Sequence, residues 1–413
     1  MSARPGPGGS IVLGWLSVLL REKLTDSGRL VFWLFLLANA AGTASFIVKV
    51  YFVWCALLAL LAVSLVASRL ARVPLEVDLV SPRQTTAGSE LELPLRVRNQ
   101  TRRAALDLEF RVMAPPGTNR GTRVALDRVD PGEERVVPLP LGFPRRGHYV
   151  LDGVEQDTVY PWGLWRDTRR VRAPRSLLVY PSFNPLRNLD IPVGRRYQPG
   201  GIALTSHVGD STEFMSTREF RAGDSLRNIH WRSWGRLGKP VVKEFEEEFF
   251  CRIALVVDTF QTRGRGRGPA EQAFEAAVSL AASLVNRLAL EEYILDLFAA
   301  GPEIYHFQAG RSLAYLENVM DVLACLEPCH EPPFQKIEPV LLEHMGNITT
   351  TLAILLDWDE ARARTLQALV DRGSELKILL VRAEPPPVAE HPTLGRVHWL
   401  APELLLRGGV EDL

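Results

Sequence analysis

The sequence predicts a multidomain protein: a two-helix transmembrane hairpin, then a β-sandwich, then an α/β doubly wound domain. Three observations carry this. Two uncharged apolar runs, Leu30 to Ile47 and Val50 to Ala67, stand close together near the start. Short alternating segments punctuated by Gly and Pro follow, as far as about Tyr180. After Cys251, apolar strands alternate with helix-length segments. At 413 residues the chain is also too long for one ordinary domain.

The hairpin comes first. Each apolar run would rise about 27 Å as a helix, close to the thickness of a bilayer's hydrocarbon core. Neither run shows a polar face, which argues against a buried soluble hairpin. A cleaved signal peptide is the other alternative, since "ANA" and "TAS" resemble cleavage sites. The residues before the first run and the second run directly after it argue against that. Arg21, Lys23 and Arg29 precede the hairpin, Arg69 and Arg72 follow it, and only Lys49 sits at the turn. The positive-inside rule then puts both ends, and everything after about residue 70, in the cytoplasm. Ile11 to Leu20 is too short to span and is expected to lie along the interface.

From Val73 to Tyr180, "LEVDLV", "LELPLRVRN", "LDLEFRV" and "ERVVPLPL" alternate apolar and polar residues between turn signals. That pattern predicts an antiparallel β-sandwich of immunoglobulin-like type. "RRGHYVLDGVEQDTVYPWGLWR" closes it with an aromatic turn around Pro161–Trp162–Gly163, expected to serve packing. Beyond Cys251, "RIALVVD", "YILDLFAA", "TTLAILLD" and "LKILLV" read as strands of a parallel sheet covered on both faces. Helices are expected at Ala270 to Leu290, in "LAYLENVMDVLACLE" and in "EARARTLQALVDRG". The divisions are thus an N-terminal cytoplasmic segment at 1–28, the hairpin at 29–69 and the sandwich at 73–180. A junction follows at 181–250, the α/β domain at 251–400 and a tail at 401–413.

Lys plus Arg and Asp plus Glu are 48 each, so the formal net charge is zero and no nucleic-acid partner is expected. The four cysteines are too scattered for a disulfide framework. Cys325, Cys329 and His330 lack a second cysteine pair to complete a zinc site. No Walker A run, dinucleotide loop or nucleophile elbow occurs, and no cofactor is expected. "RGRGRG" at Arg263–Gly268 reads as a solvated loop.

Ligands of doubly wound folds sit at the carboxyl ends of strands, which here offer Asp258 and Asp357. This arrangement resembles a von Willebrand factor A domain, whose metal site uses an Asp-x-Ser-x-Ser turn, a threonine and a second aspartate. Here Asp258, Thr262 and Asp357 make a degenerate version, because Phe260 stands at the first serine and offers no oxygen ligand. The expectation is no metal, with both aspartates bonded to loop backbone.

The densest charge lies in "TREFRAGDSLRNIHWRSWGRLGKPVVKEFEEEF", Thr217 to Phe249. Asp224 is placed to N-cap a helix from Ser225, with Leu226, Ile229, Ser233 and Leu237 on one face. Gly238 fits the left-handed position after it and Pro240 prevents continuation. Arg218, Glu219, Arg221, Gly223, Asp224, Arg227, His230, Trp231 and Arg232 are the candidate residues, for docking or for a structural network. His230 has no accompanying nucleophile in sequence, so no catalytic residue is assigned. Arg218, Arg221 and Arg232 can pair with Glu219, Asp224 or Glu246–Glu248.

This stretch closely resembles the Arg-Glu-Tyr-x-x-Gly-Asp-x-x-Arg-x-Ile-His-Trp signature of the bacterial "domain of unknown function 58" proteins, with Phe220 in place of the usual Tyr. The resemblance extends over nearly the whole chain. It implies a two-pass protein of the bacterial cytoplasmic membrane, with soluble domains in the cytoplasm. It also implies a MoxR-type AAA+ ATPase as partner, and a transglutaminase-like membrane protein as a frequent companion. The expected role is a non-enzymatic scaffold or adaptor. The alternative is an enzyme or metal-dependent adhesion protein using Asp258 and the signature.

Overall fold

A computed structural model describes residues 20, 23–44, 48–119, 123–192, 208–221, 224, 226–246, 252–261, 268–291, 293–300, 304–309, 313–331, 334–344, 348–386 and 390–413. The chain divides into two compact units, Met1–Val179 and Tyr180–Leu413. Nearly all of Ile11 to Leu20, the segment expected along the interface, lies outside the described residues.

The first unit opens with two helices, α1 (Asp26–Ala44) and α2 (Val48–Leu70). They pack together: the Tyr51 hydroxyl donates to the Gly42 carbonyl at 2.9 Å, and Phe35 stacks on Trp54 at 5.7 Å. Leu30, Leu37 and Phe52 are exposed. Helix α2 is long and apolar enough to cross a membrane, and only 11% of its apolar stretch is buried. A later helix, Pro269–Leu290, is also long and apolar enough, but 72% of its apolar stretch is buried, as in a soluble core helix. Helix α1 starts inside the segment 1–28 that the sequence assigns to a cytoplasmic extension, and Leu24 just before it is fully buried.

Among the described residues eight strands follow: β1 (Glu76–Leu79), β2 (Gln84–Thr86), β3 (Glu90–Arg98), β4 (Ala105–Met113), β5 (Val124–Val129), β6 (Glu134–Gly142), β7 (Gly147–Thr158) and β8 (Asp167–Tyr180). They form two sheets, β1-β3-β6 and β2-β8-β7-β4-β5. In β3, Leu93, Leu95 and Val97 are buried while Glu92, Arg96 and Arg98 are exposed, the period of two that puts one face inward. Val137, Leu139 and Leu141 of β6 join them, and Phe110, Leu151 and Leu177 meet them from the second sheet. One core therefore lies between two antiparallel sheets. The β7–β8 register shifts between Leu151 and Gly153. Gly153 has φ +135°, and a Cβ there would stand 2.1 Å from the Val171 carbonyl oxygen, so only glycine fits this bulge.

The second unit contains an antiparallel hairpin, β9 (Val208–Glu219) and β10 (Val241–Glu246), with helix α3 (Trp231–Leu237) between its strands. Then come β11 (Arg252–Val257), α4 (Pro269–Leu290), β12 (Ile294–Ala300), β13 (Ile304–Ala309), α5 (Leu313–Cys325) and α6 (Phe334–His344). The chain continues through β14 (Thr350–Leu355), α7 (Glu360–Asp371), β15 (Glu375–Val381), β16 (Glu390–His391), β17 (Gly395–Leu400) and α8 (Pro402–Leu406). The large sheet has seven strands in the order β13-β12-β11-β14-β15-β17-β16. Its inner pairs are parallel, and β13 and β16 run antiparallel at the edges.

Both faces are covered. Ile253, Leu255 and Val257 of β11 share a core with Phe274 and Leu284 of α4 and Val319 of α5. Ala254 and Val256 face Ile337 and Leu341 of α6 and Leu366 of α7. Burial on both sides explains why β11 is an unbroken apolar run rather than an alternating one.

Two boundaries need correction. The segment 401–413 is not a free tail, because Leu405 of α8 is buried in the α4-side core. Residues 180–192 are likewise no mere junction. Leu186 is buried in that same core, the Ser279 hydroxyl donates to the Ser182 carbonyl at 2.7 Å, and the Thr350 hydroxyl to that of Pro192 at 2.7 Å. The Lys377 ammonium donates to the Asp190 carbonyl at 2.5 Å. Backbone bonds Arg187 N to Glu411 O (2.8 Å) and Asp190 N to Leu413 O (2.7 Å) tie the two segments to each other.

Candidate functional site

Most of the signature lies between β9 and β10. The insert is folded back on the hairpin by Phe220 N donating to Pro240 O at 2.9 Å and His230 N to Val241 O at 2.8 Å. Ile229, buried, bridges to Val242. This bridge breaks the helix that the sequence pattern predicts from Ser225. A short 3-10 turn spans Leu226–Asn228, α3 begins only at Trp231, and Leu226 and Leu237 are exposed rather than on a buried face. Gly238 does close α3 in the left-handed region, at φ +65°, its N–H bonded to Trp234 O at 2.9 Å.

The helix start expected at Ser225 lies outside the described residues, and the Asp224 carboxylate is taken up by arginines. Its two oxygens each accept from the Arg218 guanidinium at 2.7 Å, and Oδ2 also accepts the Arg221 amide at 2.7 Å. These bonds, Arg218's first and the Arg221 amide's second, hold the Asp224 carboxyl down at about 2. A depressed carboxylate contributes to folding above its unfolded value near 4, and loses that contribution as pH falls through about 2. Carboxyl-carbon NMR of the intact chain should therefore find Asp224 still ionised at pH 3, and shifted up toward 4 in Arg218→Ala. Titration of the wild-type group near 4 would show that the pair does not form.

Other signature residues face outward. Trp231 is 66% exposed and stacks on Trp234 at 5.3 Å and 16°. Arg221, Arg227 and Arg232 are exposed. Glu219 pairs with Lys239 at 3.2 Å rather than with an arginine side chain. His230 Nδ1 shares a 2.6 Å hydrogen bond with Ser233 Oγ, a partner the sequence pattern assigns to an apolar face. Gly223, and the side chains of Glu246 to Glu248, lie outside the described residues.

A second cluster sits at the carboxyl end of β11. Asp258 is 1% exposed, and its Oδ2 accepts from Arg362 Nη2 at 2.7 Å, Arg362 Nε at 2.9 Å and Leu356 N at 3.1 Å. Its Oδ1 accepts the Phe260 amide at 3.0 Å. Arg362, on α7, is 3% exposed. It also pairs with Asp359, and its guanidinium carbon lies 5.3 Å from the Phe334 ring centre and 5.7 Å from that of Phe260. Burial pushes the Asp258 carboxyl up, while the Arg362 charge and the two amides pull against it. Every contact to its oxygens comes from a donor, which is the pattern of a carboxylate.

These residues do not fit a divalent cation. Arg362 already supplies the positive charge at Asp258, and Phe260 supplies only a ring face. Asp357 turns away into solvent, pairing with Arg382 at 2.7 Å and accepting the Trp358 amide at 2.9 Å. Thr262 lies outside the described residues. Cys329 is buried and its backbone pairs with Thr259 and Gln261, whereas Cys325 is exposed. Among the described residues no group of three or more His, Cys, Asp or Glu is arranged to hold a metal ion.

The geometry defines a multidomain chain with an apolar helical hairpin, a β-sandwich, and an α/β unit bearing a charged, aromatic insert. Residues 216–329 match the family described as "Protein of unknown function DUF58". "Uncharacterized protein YeaD" of Bacillus subtilis (strain 168) is 25% identical over 236 residues, 55% of this chain. The chain spans about half the length of that curated relative, 56%. Both findings support the family resemblance. Among solved structures, the CARDB domain of PF1109 from Pyrococcus furiosus covers 25% of this chain and 93% of its own, at 16% identity and TM-score 0.20. Native alpha-2-macroglobulin from Escherichia coli covers 38% of this chain and 22% of its own, at 19% identity and TM-score 0.22. Likenesses this slight carry no argument about the fold.

Proposed function

We propose that this chain is a membrane-anchored, non-enzymatic adaptor whose signature insert docks a protein partner, an AAA+ ATPase of the MoxR type. The observation that carries this reading is the stacked Trp231–Trp234 pair, whose Trp231 ring is exposed, as are Arg227 and Arg232. Large aromatics with arginine are the commonest anchors of protein interfaces. The Arg218–Asp224 pair fixes the loop that presents them. The hairpin α1–α2 is the anchor, with both ends in the cytoplasm by its flanking charges, and a transglutaminase-like membrane protein is a further companion.

The α/β unit is read as von Willebrand A-like. Counting its sheet from β11, the strand order is 3-2-1-4-5-7-6, with the third strand antiparallel at the edge. The metal-dependent alternative at Asp258 would require Arg362 to leave the carboxylate. Crosslinking pull-down from native membranes tests the adaptor reading. Arg227→Glu/Trp231→Ala should lose the ATPase while keeping the wild-type melting temperature, since both side chains are exposed. Equal capture by the folded variant would remove the insert as the docking surface.

A further inference from the structure

The aromatic turn that closes the sandwich is bonded to both apolar helices. Trp165 Nε1 donates to Leu61 O at 3.0 Å and Ser64 Oγ at 2.9 Å, both in α2. Just before α1, Thr25 N donates to Leu164 O at 3.2 Å, and the Thr25 hydroxyl bonds the Gly163 carbonyl. Gly28 lies so close that a Cβ would stand 2.0 Å from the Leu164 oxygen. The turn therefore has a fixed height along the hairpin.

That height can be compared with a bilayer. Helix α2 rises about 33 Å from Val48 to Leu70, against a hydrocarbon core of about 30 Å. From Val48 to Leu61, where Trp165 is bonded, it rises only about 20 Å. On α1, Gly28 to Ala44 gives about 24 Å. A bilayer that stopped before the turn would have to thin by about 6–10 Å, and mismatch costs fractions of a kcal/mol per Å. Helix tilt shortens the span further. The bilayer thus reaches the level of the turn.

We propose that the Tyr160–Trp165 turn is a membrane-interface anchor, with the ring of Trp162 seated at the headgroup–acyl boundary. Trp162 is 51% exposed at the tip of this turn. Tryptophan collects at that boundary because its ring is apolar and its N–H polar. Just beyond it the surface turns charged: Arg72, at the exit of α2, pairs with Asp167 through two hydrogen bonds, and Arg69 is exposed. The partner of this surface is the lipid itself. The inference rests on the membrane reading of the hairpin, and the test separates the two.

Spin labels placed at Leu37→Cys, Trp162→Cys and Trp231→Cys in the full chain, its native cysteines replaced by serine, would be compared in phosphatidylcholine–phosphatidylglycerol vesicles. Collision with oxygen and with a water-soluble nickel chelate reports depth. The label at 37 should be deep and the label at 231 aqueous. The label at 162 should lie between them, with nickel access several-fold below that at 231. A deep label at 37 with a label at 162 as accessible as that at 231 would overturn the anchor and leave the hairpin standing. An aqueous label at 37 would overturn both.

Discussion

Arg362→Ala is expected to destabilise the α/β unit by about 3–5 kcal/mol, the usual cost of stripping the partner from a buried ion pair. The cost arises at Asp258, which is 1% exposed and keeps only the Phe260 and Leu356 amides once the guanidinium is gone. Hydrogen exchange at Leu255 and Val256 amides of the full chain would report it, since β11 and β14 are paired beside the lost contact. The double variant Asp258→Asn/Arg362→Met should recover only part of the loss: no buried charge remains unpaired, but the Asn oxygen can accept only one of the Phe260 and Leu356 amides. Unchanged exchange in Arg362→Ala would mean that the carboxylate does not depend on this cation.

Gly28→Ala is expected to loosen the hairpin from the sandwich by about 1–3 kcal/mol, the range for overpacking, and Gly28→Val by more. The obstacle is backbone: the new Cβ would lie 2.0 Å from the Leu164 oxygen and 2.9 Å from its carbonyl carbon. Neither helix nor turn can yield without breaking the Thr25 and Trp165 bonds that join them. Gly42→Ala is the control, since its nearest neighbour is a Tyr51 ring atom at 3.6 Å, an ordinary contact. Protease cleavage after Arg166 in detergent micelles should rise in the first variant and not in the control. Equal cleavage in both would show that the turn is not clamped by α1.

Much of this was legible because burial leaves a period. Leu93, Leu95 and Val97 announce a half-buried strand, and "RIALVV" announces one buried on both faces. The hairpin declared itself by lacking charge. What stayed hidden depends on contacts distant in sequence. Arg362 reads as one more cation on the solvated face of "EARARTLQALVD", and only its meeting with Asp258, 104 positions away, buries it. The helix expected from Ser225 was overridden by one residue, Ile229, recruited into pairing with Val242. Helix α6, with Pro339 inside it, and the short strands β16 and β17 carry too weak a local pattern to stand out.

The stitching of residues 180–192 into the α/β unit determines how that unit can be cut out for study. A fragment starting at Ser216, where the family match begins, would leave the Leu186 site open and the carboxyl-terminal residues without their backbone partners. A fragment ending at Cys329 would remove β14 and β15, splitting the sheet beside the strand that leads into Asp258. The stretch by which the family is recognised is therefore not an autonomous folding unit. An excision that keeps these contacts is the second compact unit, Tyr180 through Leu413.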